Sequence, residues 1–224
     1  MGPERFRALL GGDPDDVDLD EAALAMSAAL RPGLDEMEWL VTLDAIAGDC
    51  PSPTAQGVSR HLFESLGFTG NRDAYYDWRN SCLDHVLAER TGIPLTLSVV
   101  MLEVGRRLGV ALEGVGMPAH FLVRVSGDPD QLFDPFDGGR RLDRSGAREL
   151  LERITQGRLR WDDSFVEATS THDVVVRMLN NLKAVFTARG DRLRLALVMQ
   201  LREAIPRLRE SEAAEIEAAS SVFN

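Results

Sequence analysis

Apolar positions recur at intervals of three and four through the first third of the chain. In DLDEAALAMSAALR, residues 18–31, acids crowd the first turn and alanine, leucine and methionine follow at helical spacing, which predicts a helix. Pro32-Gly33 breaks it, and Leu34, Met37, Leu40 and Leu43 set the stripe of a second helix in PGLDEMEWLVTLDAIAGD. After the stop CPSP, TAQGVSRHLFESLGF at 54–68 predicts a third. Residues 1–16 are charged and glycine-rich, and are expected to be mobile.

The middle of the chain changes period. NSCLDHVLAERTG at 80–92 predicts a helix with Asn80 or Ser81 as cap and Gly92 as stop. TLSVVMLEVGRRLG at 96–109 is apolar on nearly every side between 97 and 104, the composition of a buried central helix. Alternation then takes over. VALEGVGM, HFLVRV and QLFDPF predict short strands, and the turn SGDPD makes the second and third antiparallel neighbours. Helical spacing returns over 146–157, 171–189 and 192–204, the last two forming a helical hairpin around ARGD, and in a final acidic helix, SEAAEIEAASSV. The pattern predicts an α+β fold: a small antiparallel sheet packed on a central helix and flanked by helical layers. Its divisions are an N-terminal helical region (1–70), a core (71–168) and a C-terminal hairpin (169–224), together one unit.

Composition narrows the functional classes. The chain has 224 residues, 44% hydrophobic and 27% charged, an ordinary globular balance. Its formal net charge of −11 disfavours nucleic acid and favours basic partners. The densest basic run, RITQGRLR at 153–160, holds three arginines among apolar residues. Two cysteines without a CxxC exclude a zinc ribbon and a disulfide framework. The N-terminus has no long apolar run, and no stretch approaches the ~18 residues of a membrane span. A reducing cytoplasm is the expected address, with no membrane partner. No cofactor is expected. The remaining histidines, His61, His85 and His172, lack the spacing of metal ligands, and GDPDD and GDPDQ lack the closing glutamate of a calcium loop.

The candidate chemistry sits on the strands. His120 opens one and Asp134 closes the next, 14 residues on. On adjacent antiparallel strands the two can lie opposite each other, and a carboxylate on one ring nitrogen leaves the other as a base. The alternative is a core histidine satisfied by a carboxylate, with no reaction. Tyr75, Tyr76 and Trp78 precede the core, with Asn80 beside them; with Phe136 they are candidate binding residues, either a lid on the sheet or one wall of a peptide groove beside His120.

RNSCLDHVLAERTGIPLTLSVVMLEVGRRLGVALEGVGMPAHFLVRV at 79–125, with LFDPFDGG at 132–139, resembles the SirB1 family, a branch of the transglutaminase-like superfamily. The resemblance runs from about residue 72 to 145 and is carried by GIP-TLS, RRLG, EGVGMP-HFLVR and DPF-GG in order. The hairpin after 170 resembles a degenerate tetratricopeptide unit. What the resemblance implies is a papain-like core in which a cysteine starts a buried helix and a histidine and an aspartate come from the sheet. Those two carry over to His120 and Asp134, and the helix to 95–108. The cysteine does not carry over: Gly92-Ile93-Pro94 stands where relatives have Gly-x-Cys, so Pro94 occupies the nucleophile position.

Two stand-ins are chemically conceivable. Ser98 lies one turn past Pro94, though a buried serine commonly bonds back to its own helix. Cys82 lies near a helix N-terminus, which favours thiolate, or else packs in the core. Cys50 reads as an incidental thiol. Two functions follow: a non-catalytic protein that keeps the cleft for a protein or peptide ligand, or an acyl transferase or amide hydrolase with a displaced nucleophile. A third reading is purely structural, with His120 buried and inaccessible. Oligomeric state is left open.

Overall fold

The most apolar helix lies at the centre. In the computed structural model, which describes residues 2–11, 17–206 and 208–209, α6 (Pro94–Arg107) buries Leu97, Val99, Val100, Met101 and Val104 completely or nearly so. It begins two residues earlier than the periodicity predicts. Pro94 occupies the first turn, where no amide donor is needed and its fixed φ suits the helix. The N-terminal helices α2 (Leu19–Leu30) and α3 (Glu36–Gly48) and the short α5 (Leu83–Glu89) pack on α6.

A five-stranded antiparallel sheet covers another side of α6. Its strands are β3 (Leu112–Val115), β4 (Leu122–Val125), β5 (Asp128–Asp134), β6 (Arg140–Leu142) and β7 (Ala168–Thr169), in the order β6-β5-β4-β3-β7. The alternation of the strands sorts their side chains between two cores. Phe121, Val123 and Phe133 join the main core with α6. Val115, Leu122, Leu132 and Leu142 form a second core with Ala147, Leu150 and Leu151 of α7 (Arg144–Thr155). The middle of the chain is therefore helix, sheet, helix in layers.

The C-terminal helices α8 (Thr171–Arg189) and α9 (Arg192–Arg202) pack together across a left-handed Gly190, the residue type that turn requires. Val174, Val175, Met178 and Leu182 bring α8 into the main core. No helix among the described residues is long and apolar enough to cross a membrane.

Several expectations change. The N-terminal stretch is not wholly outside the fold: Gly2–Leu10 form α1, with Phe6 fully buried and Leu10 nearly so. A pattern of PERFRALL carries too few apolar positions to predict this, and packing against α2 supplies the rest. The third helix is α4 (Ala55–Ser59) followed by a π turn over Arg60–Ser65. Asn80 and Ser81 lie in a 3-10 turn, and Cys82 is the N-cap of α5. A parallel pair, β1 (Thr69–Gly70) with β2 (Thr91–Gly92), and the short strands β6 and β7 are too brief to show a period. The final acidic helix lies outside the described residues.

Candidate functional site

His120 follows Ala119, whose φ of +59° places it in the left-handed region. For a residue with a Cβ that conformation costs ~1 kcal/mol or more, and such strain concentrates at functional sites. The turn is held by the His120 amide donating to the Met117 carbonyl at 3.1 Å and by Arg177, which donates to the carbonyls of Gly116, Met117 and His120 at 2.6–2.8 Å. Five residues of ordinary-looking chain are thereby tied to α8.

Asp134 ends β5 and caps the turn that follows. Its Oδ1 accepts from the amides of Phe136 and Asp137 at 3.1 and 3.3 Å, and from His120 Nε2 at 2.9 Å. The register Val123↔Phe133 makes the two partners diagonal rather than directly opposite. Both are buried, at 7% and 2% exposure. Because the carboxylate is on Nε2, the neutral ring keeps its proton there and Nδ1 is the basic nitrogen; among the described residues Nδ1 takes no hydrogen bond. His120 and Asp134 line a groove of about 410 Å³.

Pro94 lines the same groove. Neither stand-in does. Ser98 is fully buried and donates to the Pro94 carbonyl at 2.8 Å, a bond within its own helix. Cys82 is fully buried, and that burial, with the charge of Asp84, pushes its thiol far above the ordinary range and away from thiolate. Its cap position therefore does not activate it. Cys50 is partly buried and its thiol contacts the Ser52 carbonyl.

Two glycines let the surrounding loops close on this groove. A Cβ on Gly70 would meet the Phe136 ring at 2.5 Å. Gly139, at φ +71°, would drive one into Phe63 and Ser59 at 2.3 Å. Phe136 thus rests against β1, and its ring stands edge-on to His120 with centroids 6.1 Å apart.

The aromatic stretch divides into wall and support. Tyr75 lines the His120 groove and stacks edge-to-face on Phe136 and on Tyr76. Tyr76 is 75% exposed and faces a neighbouring apolar pocket. Trp78 points away, against Phe186 and under Arg194. Asn80 is buried behind the loop: its amide donates to the carbonyls of Ala74 and Tyr75 at 2.8 and 3.1 Å and its oxygen accepts from Asn71. It shapes the wall without lining the groove. Sequence reasoning missed Arg72, Arg140 and Arg153, which also line it. Arg153 stood within the noted basic run, but nothing local shows that three distant arginines converge.

A second polar centre occupies the other end of α6. Glu103 and Asp20 are both 3% exposed or less, and Arg106 and Arg107 each reach both of them at 2.6–2.9 Å. Burial, reinforced by the charge of Asp20, raises the Glu103 carboxyl to about 7. Burial also works to raise Asp20, but the Arg107 hydrogen bond and the two guanidinium charges outweigh it and hold Asp20 below the ordinary range. A wider cavity, about 610 Å³, opens beside this cluster, but the charges there are spent on one another.

Residues 19–180 match the family model described as the transglutaminase-like superfamily. The chain is 43% identical over 141 residues to a UPF0162 protein of Xylella fastidiosa, covering 60% of this chain and 50% of that protein. A UPF0162 protein of Pseudomonas aeruginosa is 33% identical over 184 residues, 78% of this chain and 67% of its own length. Human F-box only protein 21 is 44% identical over 77 residues, 34% of this chain and 12% of that protein. The chain spans about half the length of the Xylella relatives it matches. No solved structure matches it. The matched span takes in α6, the sheet and the buried His120–Asp134 pair, and the chain belongs to the transglutaminase-like superfamily.

Proposed function

We propose that this chain is a SirB1-like member of the superfamily that uses its groove to hold a protein or peptide ligand without covalent catalysis. The observation that carries the reading is Pro94 in the groove beside a His120–Asp134 pair whose Nδ1 is open. A cysteine hydrolase needs a thiol within hydrogen-bond reach of that nitrogen, and proline offers none. Ser98 and Cys82 are buried elsewhere, one bonded to its own helix and the other with its thiolate disfavoured. Helix α8, the first of a pair we read as a tetratricopeptide-like unit, supplies a further wall. A cytoplasmic setting suits two free thiols.

The test is labelling. With Cys50→Ser as background, the native protein treated with a chloroacetamide and with a fluorophosphonate gains no label that depends on His120. Pro94→Cys gains chloroacetamide label, and His120→Ala removes the gain. His120-dependent label on Cys82 or Ser98 of the native sequence overturns the reading in favour of an acyl transferase or amide hydrolase.

A further inference from the structure

The His120 groove is one part of a longer trough. A small cavity of about 140 Å³ shares Tyr75, Pro94, Ala119 and His120 with it. An apolar pocket of about 320 Å³ continues from that cavity, sharing Tyr75, Ile93 and Asn181. Tyr75 is common to all three. The far pocket is walled by Tyr76 and by Ala184, Val185 and Ala188 of α8. Arg189 bonds the Tyr76 carbonyl at 2.9 Å and ties the aromatic loop to that helix.

The charge at the other end of the trough runs against that of the chain. Acids outnumber Lys and Arg by 36 to 25 overall. In the His120 groove the arginines are Arg72, Arg140 and Arg153, against Asp134 and Asp137. The bonded Asp134 oxygen is occupied by His120 and two turn amides. Asp137 is shared by Arg72 at 2.9 Å and Arg140 at 3.5 Å. Arg153 is exposed and has no carboxylate partner among the described residues. The groove therefore holds a cation in excess, in a chain whose formal net charge is −11.

We propose that the trough takes an acidic peptide in extended form, with a carboxylate side chain beside Arg153 and Arg140 and an apolar side chain in the Tyr76–Ala188 pocket. The inference rests on the reading of the groove as a peptide site and reverses the basic partner that net charge suggests. Arginine is suited to carboxylates because its planar fork donates two parallel hydrogen bonds. A polynucleotide fits less well. It needs repeated phosphate contacts along its length, and here the arginines further along the trough, Arg177 and Arg189, are bonded to backbone carbonyls. A few polar groups beside an apolar pocket are how a site fixes one register of a ligand.

The experiment uses the full chain and fluorescein-labelled decapeptides, read by anisotropy. One set carries Asp and Glu with one Leu or Phe, a second replaces the acids by Lys, and a third replaces the apolar residue by Ala. The acidic-apolar set binds at least tenfold tighter than the other two. Arg153→Glu lowers that binding at least tenfold and improves the Lys set. Ala184→Trp, on an exposed position, removes the preference for Leu or Phe and keeps the preference for acids. Circular dichroism confirms that both variants are folded. Lys peptides that bind best, and respond to Ala184→Trp, overturn the acidic ligand but leave the peptide groove. Peptides whose binding ignores every groove substitution overturn both. A single-stranded RNA that binds in an Arg153-dependent way and displaces the peptides overturns the peptide reading in favour of nucleic acid.

Discussion

The two ends of α6 each bury a histidine or carboxylate among charges, and they do so differently. At the C-terminal end Glu103 and Asp20 are enclosed by Arg106 and Arg107, and the charged groups answer one another. The arginines lie in the last turn, where the helix dipole favours cations. At the N-terminal end Asp134 answers one nitrogen of His120, a residue that lines a groove, and the other nitrogen takes no hydrogen bond among the described residues. A closed network is what a fold needs in order to tolerate buried charge. An open nitrogen in a concave site is what a ligand needs. The wider cavity lies beside the closed network, so cavity size alone points away from the His120–Asp134 pair.

If the C-terminal cluster is structural, breaking it costs stability first. Asp20→Ala takes away one of the two buried carboxylates and leaves Arg106 and Arg107 to share Glu103, and a loss of about 2–3 kcal/mol is expected in urea unfolding. A loss under ~1 kcal/mol would remove the contrast between the two ends. Glu103 sharpens it through pH. Its folded value of about 7 lies above the ordinary 4.5, so the folded state binds the proton more tightly. Stability from this group is therefore full at low pH and falls as pH rises through that window. Glu103→Gln should flatten the decline between pH 5 and pH 8 by about 2 kcal/mol. Asp20 has the opposite sign: its depressed value gives stability above the ordinary 3.8 that is lost on acidification.

At the groove end the stability effects shrink. Asp134→Ala removes a cap on two amides as well as the His120 partner, and about 1–2 kcal/mol is expected from thermal melts. His120→Ala should stay within about 1 kcal/mol of the native protein while the peptide dissociation constant, read by anisotropy, rises at least tenfold. Equal changes in stability and no change in binding would make His120 a packed core residue.

Much of the frame was legible. Helices α2, α3, α6, α7, α8 and α9 follow from periodicity, since each buries one face or is buried all round, and both patterns are written in order along the chain. Helix α8 coincides with its expected range, Thr171–Arg189, because Ser170 caps it and Gly190 ends it. Strands β3, β4 and β5 were legible by alternation, and β6 and β7, at three and two residues, were not. In the site, the spacing of His120 and Asp134 was informative because a hairpin joins them. The division of Tyr75, Tyr76, Trp78 and Asn80 into wall and support was not, because it depends on which neighbour each meets: Phe136 for Tyr75, Phe186 for Trp78, the loop backbone for Asn80.

By itself the sequence determined the longer helices and strands, the His120–Asp134 candidate and the proline at the start of the central helix, because these are local patterns or residue types. Tertiary structure alone decided that Ser98 and Cys82 lie outside the groove, that α1 joins the core, and that Arg72, Arg140 and Arg153 meet. Burial and long-range proximity depend on how distant elements pack, and no window of the chain contains that information.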